Sequence, residues 1–421
     1  MEVKILLVNQ YAIPPQQAGP MRHFTLAREL VQLGHDVTIV ASSFDHVTRQ
    51  ETRLRPHEKH QVELIDGVRF LWLRTPPYSG NGLARIWNML VFTARVWQGM
   101  GAQSLGRPDV IIGSSPHLFG ALGAEIRARH LRVPFVLEVR DLWPQSLVDL
   151  ANMSERHPIV LALEVIERYL YRRARRIIAL LPGASEPMVA KGAKRAKIVW
   201  IPNGVDLAIL PASNASPQGA FTLMYAGTHG LANGLDLVLD GAKLLLQDTS
   251  SPKVRFILLG DGPNKAHLME RVRAEGLTNV EFLAAVPKNQ VYALLQQAHG
   301  FLLILKDSPV FRWGVSPNKL FDYFAMGRPV LFGVNTPYNP VAESGAGLTF
   351  APGDPAAFVA AVKELASRSV AERTAMGEAG QKHVREHYDF QRLALKLEAT
   401  LQDVLRGEGT ADVSQHGSSK T

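Results

Sequence analysis

Ser316-Pro317-Asn318-Lys319-Leu320-Phe321-Asp322-Tyr323-Phe324-Ala325-Met326-Gly327-Arg328-Pro329-Val330-Leu331-Phe332-Gly333 is the stretch on which the reading of this chain turns. Ser316 can cap a helix and Pro317 suits its first turn. Leu320, Tyr323, Phe324 and Met326 recur at helical spacing, Gly327 stops the helix, and Pro329–Phe332 reads as a buried strand. The backbone N–H groups of Asn318, Lys319 and Leu320 precede any intrahelical acceptor, and the helix dipole favours an anion in front of them. Lys319 adds a formal charge, and Asp322 lies one turn in, able to accept hydrogen bonds from hydroxyl groups. That pairing suits a nucleotide or a nucleotide-sugar. The same residues would also serve as an ordinary capped helix of an α/β sheet, and the segment alone does not separate the two.

The 421 residues exceed the roughly 250–300 at which single cores stop growing, so two domains are expected. A hydrophobic content of 46% with 20% charged residues describes a globular chain with ample core. The absence of cysteine excludes disulfides, thiolate zinc sites and a cysteine nucleophile. A net charge of +8 points to an anionic partner: nucleic acid, phospholipid or a phosphorylated substrate. Met1-Glu2-Val3-Lys4-Ile5-Leu6-Leu7-Val8 is too short, and too acidic at its second position, for a signal peptide, and reads as a first strand. No apolar run approaches the ~18–20 residues that a spanning helix needs. The expected location is cytoplasmic, or peripheral on a membrane face without crossing it.

Strands alternate with helical patterns from end to end, the signature of a doubly wound, mostly parallel α/β sheet. Ile5–Val8, Val37–Val40, Val68–Leu73, Val110–Ile112, Phe135–Val139, Ile177–Leu181 and Lys197–Ile201 form a first series. Phe221–Ala226, Val254–Leu259, Val280–Leu283, Phe301–Leu305 and Pro329–Val334 form a second, with helices starting near Gly234, Pro263, Asn289 and Pro317. Small, polar and Pro-containing residues place a linker at 211–219, between a domain over 1–210 and one over 220–387. The polar tail 407–421 reads as disordered. Two similar halves facing one another across a cleft are expected. Over 83–100, Ile86, Trp87, Leu90, Val91, Ala94 and Trp97 can share one helix face, flanked by Arg85 and Arg95. Such a helix can lie in a membrane interface or pack on its own sheet. The run Arg172-Arg173-Ala174-Arg175-Arg176 reads as a solvated helix end that would strengthen adhesion to anionic lipid.

Open parallel sheets bind ligands beyond the carboxyl ends of their strands. That rule selects the loop Pro14–Pro20 with Gly19, then Ser114–His117, then Glu138–Pro144 with Asp141 in the first half. In the second half it selects Gly227-Thr228-His229-Gly230, Gly260-Asp261-Gly262-Pro263-Asn264-Lys265, Ala284–Pro287 and Lys306–Ser316. Gly19 lets backbone approach a ligand just before a helix start. Gly260-Asp261-Gly262 lacks the last glycine of the dinucleotide fingerprint and the Gly-Lys-Ser/Thr of a P-loop. Read singly, His117 and His229 fit structural roles as well as chemical ones. No Asp-x-Asp pair or His/carboxylate cluster has metal-ligand spacing, so no metal and no cofactor is expected, and no Gly-x-Ser-x-Gly elbow supports a serine hydrolase.

Pro202-Asn203-Gly204-Val205-Asp206, Tyr225-Ala226-Gly227, Gly260-Asp261-Gly262-Pro263 and Ser316–Tyr323 occur in order, and together they resemble the family 4 retaining glycosyltransferases of GT-B fold. The resemblance runs from the first strand to the last helix. Glu138-Val139-Arg140-Asp141-Leu142-Trp143-Pro144 looks like the bacterial branch of surface-polysaccharide assembly that includes colanic acid and N-acetyl-L-fucosamine transferases. The resemblance implies that the second half binds the sugar nucleotide. Gly260, Gly262 and the backbone near Val286 would hold the base, uracil by the branch, and Asp322 the ribose hydroxyls. Ser316, Pro317, Asn318, Lys319 and Leu320 would meet the diphosphate, with Gly19 helping from the other domain. A last helix over 388–406 would cross back onto the first domain.

Three positions depart from the family pattern. The first acid of its Glu-x7-Glu motif falls at Gly314. A basic residue common after Gly227 is Leu231, with Lys319, Arg312 and Lys265 as candidates to replace its charge. The cleft histidine aligns with Ser114, and His117 lies three residues on. The implied reaction moves a sugar from a nucleotide diphosphate to a hydroxyl of a lipid-linked saccharide at the inner-membrane surface, keeping anomeric configuration. Lys319 would act on the leaving diphosphate, with Asp141 and His117 orienting the acceptor. The alternatives are a sugar-nucleotide 2-epimerase of the same fold, which would turn over donor without acceptor, and a non-enzymatic basic protein of membrane or nucleic acid. No nucleic-acid partner is expected of the transferase.

Overall fold

Short buried apolar runs form the strands, and longer amphipathic stretches between them form the helices. The computed structural model describes residues 2–17, 19, 21–80, 82–151, 153–211, 217 and 219–407. The expected disordered tail, Gly407 apart, lies outside them. The chain divides into two units: Met1–Pro14, Met21–Pro202 and Leu393–Thr421 in the first, Pro15–Pro20 and Asn203–Arg392 in the second.

The first unit runs β1 (Lys4–Val8), α1 (Arg22–Gln32), β2 (Asp36–Ser42), β3 (Phe44–Asp45), β4 (Gln50–Glu51), β5 (His60–Ile65), β6 (Val68–Leu73), α2 (Leu83–Gln98), β7 (Val110–Ser114), α3 (Leu118–Leu131), β8 (Phe135–Val139), α4 (Gln145–Ala151), α5 (Pro158–Arg173), β9 (Arg176–Ala179), α6 (Ser185–Ala190) and β10 (Ile198–Trp200). Its sheet has the order β10-β9-β8-β7-β1-β2-β6-β5. Every pair is parallel except β5 with β6. β1, β7 and β8 are buried nearly throughout, as strands covered on both faces must be. Sequence pattern did not find β5, because His60-Gln61-Val62-Glu63-Leu64 is an edge strand that is mostly exposed.

The second unit runs β11 (Phe221–Ala226), α7 (Asp236–Gln247), β12 (Val254–Leu259), α8 (Lys265–Ala274), β13 (Val280–Leu283), α9 (Lys288–Leu295), β14 (Gly300–Ile304), α10 (Asn318–Ala325), β15 (Val330–Gly333), α11 (Pro340–Ser344), β16 (Gly347–Thr349), α12 (Pro355–Ser367) and α13 (Val370–His387). Its strands are all parallel in the order β13-β12-β11-β14-β15-β16. The final helix α14 (Phe390–Arg406) begins in this unit, and its residues from Leu393 belong to the first. The core of α10 is Leu320, Phe321, Tyr323 and Phe324, all essentially inaccessible. Burial of each contributes about 1.5–3 kcal/mol.

The chain passes between units at Pro202/Asn203 rather than in the expected linker at 211–219. Backbone bonds explain the difference: Val205 N–H donates to the Tyr388 carbonyl at 2.9 Å and Phe390 N–H to the Val205 carbonyl at 3.1 Å, tying 203–206 into the second unit. No helix among the described residues is long and apolar enough to cross a membrane.

Candidate active site

The second sheet reverses its order at β11, which has β12 on one side and β14 on the other. That is the point where open parallel sheets bind ligands. α10, after β14, opens there. Its N-cap is Pro317, with no side-chain cap. Ser316, expected to cap, does not: its hydroxyl accepts from Asn203 N–H at 3.0 Å and its carbonyl from Asn203 Nδ2 at 2.7 Å. Of the three amides expected to be open, that of Leu320 is closed by the Pro317 carbonyl at 3.0 Å. Asn318 and Lys319 keep first-turn amides, which precede any i−4 carbonyl.

The Lys319 ammonium reaches across to the end of β11. It donates to Tyr225 Oη at 2.6 Å and Asn233 Oδ1 at 2.9 Å, and lies 4.2 Å from the Tyr225 ring centroid. Tyr225 Oη and Asn233 Nδ2 donate in turn to the Thr228 carbonyl at 2.7 and 2.9 Å. A Cβ at Gly227 would come within 3.1 Å of Lys319 Nζ, so only glycine there leaves the ammonium approachable. Burial lowers the Lys319 pKa to about 7. Tyr323 accepts from Ala226 N–H at 2.8 Å, fastening α10 to the same strand end.

Gly227–Gly230 and Gly260–Gly262 form one continuous platform. His229 N–H donates to the Asp261 carbonyl at 2.8 Å and Asn264 N–H to the His229 carbonyl at 2.9 Å. Gly260 holds φ +141°, and a Cβ on it would sit 1.9 Å from the Gly227 oxygen. His229 is fully buried, and neither ring nitrogen makes a hydrogen bond of ordinary geometry. Burial, then the Lys265 charge, hold its pKa down to about 4 against the pull of Asp261 and the Leu259 carbonyl. The imidazole is therefore neutral. Thr228 is exposed, and Gly230 leads into a short turn in which Leu231 is exposed.

Both other cations expected to compensate for Leu231 are already engaged. Lys265 donates to the Gly260 carbonyl at 2.7 Å and that of Leu283 at 3.2 Å, neutralising strand ends. Arg312 donates to the Pro309 carbonyl at 2.7 Å and lies over the Trp313 ring. Asp322, expected to be open to hydroxyls, is 7% exposed and already engaged. Tyr292 Oη donates to its Oδ1 at 2.9 Å, and the Lys288 ammonium pairs with its Oδ2. Val286 precedes Pro287, the N-cap of α9, the helix that carries both partners. The sequence reading missed Tyr292, Lys288 and Asn233; position just after a strand's carboxyl end was the one signal for Lys288.

In the first unit, His117 is the N-cap of α3. Its Nδ1 accepts from Gly120 N–H at 3.2 Å, which leaves Nε2–H to donate to Gln10 Oε1 at 2.8 Å. Burial, helped by Arg85, lowers its pKa to about 3. That is the geometry of a neutral cap and does not present a base. Ser114 donates to Glu138 Oε2 at 2.6 Å, where His23 Nε2 also bonds at 2.6 Å. Arg22 pairs with Glu138 Oε1 at 2.9 Å and donates to the carbonyls of Ile201 and Pro202. His23 and Arg22 hold the Glu138 carboxyl well below its usual range despite burial. The strand-end rule had picked out Ser114 and Glu138 but not Arg22 and His23, which come to them from the start of α1. Asp141 is exposed, and the protein crowded round it raises its pKa while Arg140 pulls the other way. Gly19 holds φ +148° in the segment Pro15–Pro20. Among the described residues no three His, Cys, Asp or Glu side chains converge as metal ligands.

Two mostly parallel-sheet units, with a ligand platform at the strand ends of the second, have the architecture of the GT-B fold. Residues 22–204 match the glycosyl transferase 4-like domain and residues 220–368 match glycosyl transferases group 1. The chain belongs to the family 4 glycosyltransferases. It is 23% identical over 278 residues to the colanic acid biosynthesis glycosyl transferase WcaI of Escherichia coli K12, covering 62% of this chain and 67% of that one. Among solved structures it resembles sucrose-phosphate synthase from Thermosynechococcus elongatus (TM-score 0.72, 14% identity, 96% of this chain and 99% of that one). It also resembles Anabaena Alr3699/HepE in complex with UDP and glucose (TM-score 0.67, 14% identity, 96% and 100%).

Proposed function

We propose that the chain transfers a sugar from a uridine diphosphate sugar to a hydroxyl of a lipid-linked saccharide, retaining anomeric configuration without a metal, in bacterial surface-polysaccharide synthesis at the cytoplasmic membrane face. The observation that carries the donor half is the Lys319 ammonium held by Tyr225 and Asn233 beside Gly227, at the mouth of α10. As the C1–O bond breaks, its electron pair passes to the diphosphate, and the Asn318 and Lys319 amides with the Lys319 ammonium stabilise that charge. The acceptor oxygen bonds to C1 and its proton goes to the departing phosphate. One preorganised donor of this kind is worth roughly 3–4 kcal/mol of barrier. Asp322 would exchange its Lys288 or Tyr292 partner for ribose hydroxyls.

Similarity to a UDP complex supports the choice of base, and similarity to WcaI supports the pathway class. The lipid side is supported by α2, where Leu83, Trp87 and Trp97 are 84%, 59% and 52% exposed, and by Val165 on α5, 69% exposed. Val91 and Ala94, expected on the same face, are half-buried. A thermal-shift panel of UDP-, GDP- and TDP-sugars tests the reading, because a ligand bound only by the native state raises apparent stability. UDP-sugars should raise Tm most, and no shift with any of them would refute it. An epimer formed from donor alone would select the 2-epimerase instead.

A further inference from the structure

The basic run Arg172–Arg176 is a solvated helix end as expected, with Arg172, Arg173 and Arg175 exposed, but it has a second aspect. It walls a cavity of about 760 Å³ in the first unit, where the C-terminal ends of α3, α5 and α14 meet the first residues of β8 and β9. This is the amino-terminal edge of the parallel sheet, opposite the edge that carries Ser114 and Glu138. Eight arginines and lysines line the cavity against two carboxylates, Glu125 and Asp403.

Cations gather at helix C-termini, so capping is the ordinary explanation. It does not account for these. Arg107 already donates to the carbonyls of Leu131 and Arg132 at 2.8 and 3.4 Å, closing α3. Lys197 donates to those of Arg172 and Ala174 at 3.1 and 2.7 Å, closing α5. Glu125 is taken by Arg173 at 2.8 Å and Tyr169 at 2.7 Å, and Asp403 by Arg406 at 2.7 Å with Arg176 at 3.9 Å. Among the described residues, no carboxylate within ion-pair distance remains for Arg129, Arg132, Arg172, Arg175 or Lys194. Arg132 even holds φ +53° at the C-cap of α3, a conformation that glycine adopts at less cost. Burial lowers the Lys197 pKa, and the Lys194 and Arg175 charges beside it add to that in the same direction.

Arginine forks match phosphate oxygens in pairs. A concave volume within the ~300–1,000 Å³ of small-molecule sites fits a discrete molecule better than a bilayer surface. We propose that this cavity is a second ligand site, separate from the Lys319 platform, for a compact soluble anion carrying two or more phosphate groups, of which pyrophosphate is the simplest.

The test is calorimetric titration of the full chain with inorganic pyrophosphate in a Lys319→Met background, which silences the donor platform. Binding should persist there, and adding Arg172→Ala/Arg175→Ala should weaken it at least tenfold. Arg129→Ala/Lys194→Ala, on other walls, should do the same and guards against misfolding of the first pair. The unliganded Tm of both should be unchanged or raised, since like charges are removed. Loss of pyrophosphate binding with Lys319→Met alone would overturn the proposal, as would binding undiminished in both pocket variants. Attachment through these residues to phosphatidylglycerol vesicles but not to pyrophosphate would overturn it in favour of a membrane contact.

Discussion

Donor binding should take up a proton, and Lys319 is the group that receives it. In the free protein its pKa is about 7, so above neutrality the side chain is mostly an amine. A diphosphate oxygen about 4 Å away interacts with an ammonium by about 4 kcal/mol at an effective dielectric near 20, equivalent to about three pKa units. The complexed pKa then lies near ~10. Because the protonated form binds, affinity for UDP is full below pH ~7 and falls about tenfold per unit above it, about 100-fold by pH ~9. At pH ~8 each binding event should take up about 0.9 proton. UDP's own terminal phosphate ionises near pH ~6, below this window. Isothermal titration at pH 8 in buffers of different ionisation enthalpy reads the uptake directly. A Kd flat between pH 7 and 9 with no buffer-dependent heat would refute the reasoning. Lys319→Met should abolish the uptake and weaken UDP at pH 7.

Asp322→Asn should raise donor KM strongly at little change in kcat. It should also cost about 1–3 kcal/mol of stability in urea unfolding, since the amide keeps an acceptor for only one of Lys288 and Tyr292 and removes the charge opposite Lys288; an unchanged KM would remove the ribose assignment. His117→Ala should cost about 1 kcal/mol, as loss of a helix cap does, and leave the pH–rate profile between 5 and 8 unaltered, because a ring with a pKa of about 3 does not titrate there. Trp87→Ser with Trp97→Ser should reduce co-sedimentation with anionic liposomes while shifting stability by no more than about 0.5 kcal/mol, both rings being largely exposed. Undiminished co-sedimentation would take α2 away from the membrane.

What could be read without coordinates was what is local. Buried parallel strands announce themselves as apolar runs, so β1, β11, β12 and β15 were found near their true places. β5 was missed because an exposed edge strand has no such run. Lys319 and Asp322 were visible by their offset from Pro317. Tyr225 appeared only as part of a motif, without its role, and Asn233, Lys288 and Tyr292 not at all, because all four reach them through strand order, which residue spacing does not encode. The same holds for Arg22 and His23 on Glu138. Ser316 misled because it has a second possible use. Its hydroxyl can cap the next helix or accept from Asn203, and only the path of 203–206 decides between them.

The donor platform also has to exist empty. A fixed buried cation with no counter-ion would be costly, and a carboxylate partner would have to be stripped away before each turnover. Asp322 follows the second course, with Lys288 and Tyr292 as partners that hydroxyl groups can replace. Lys319 follows neither. Its neighbours are a phenol, an amide oxygen and a ring face, all neutral, and burial brings its pKa to about 7. It can shed its proton when the site is vacant and regain it when phosphate arrives. The cost of the empty site is thus removed by titration rather than by an ion pair. An arginine at this position would stay charged throughout, and would forfeit that property even if it bound phosphate more tightly. Lys319→Arg should therefore bind UDP without proton uptake at pH 8, and with an affinity that no longer falls as the pH rises.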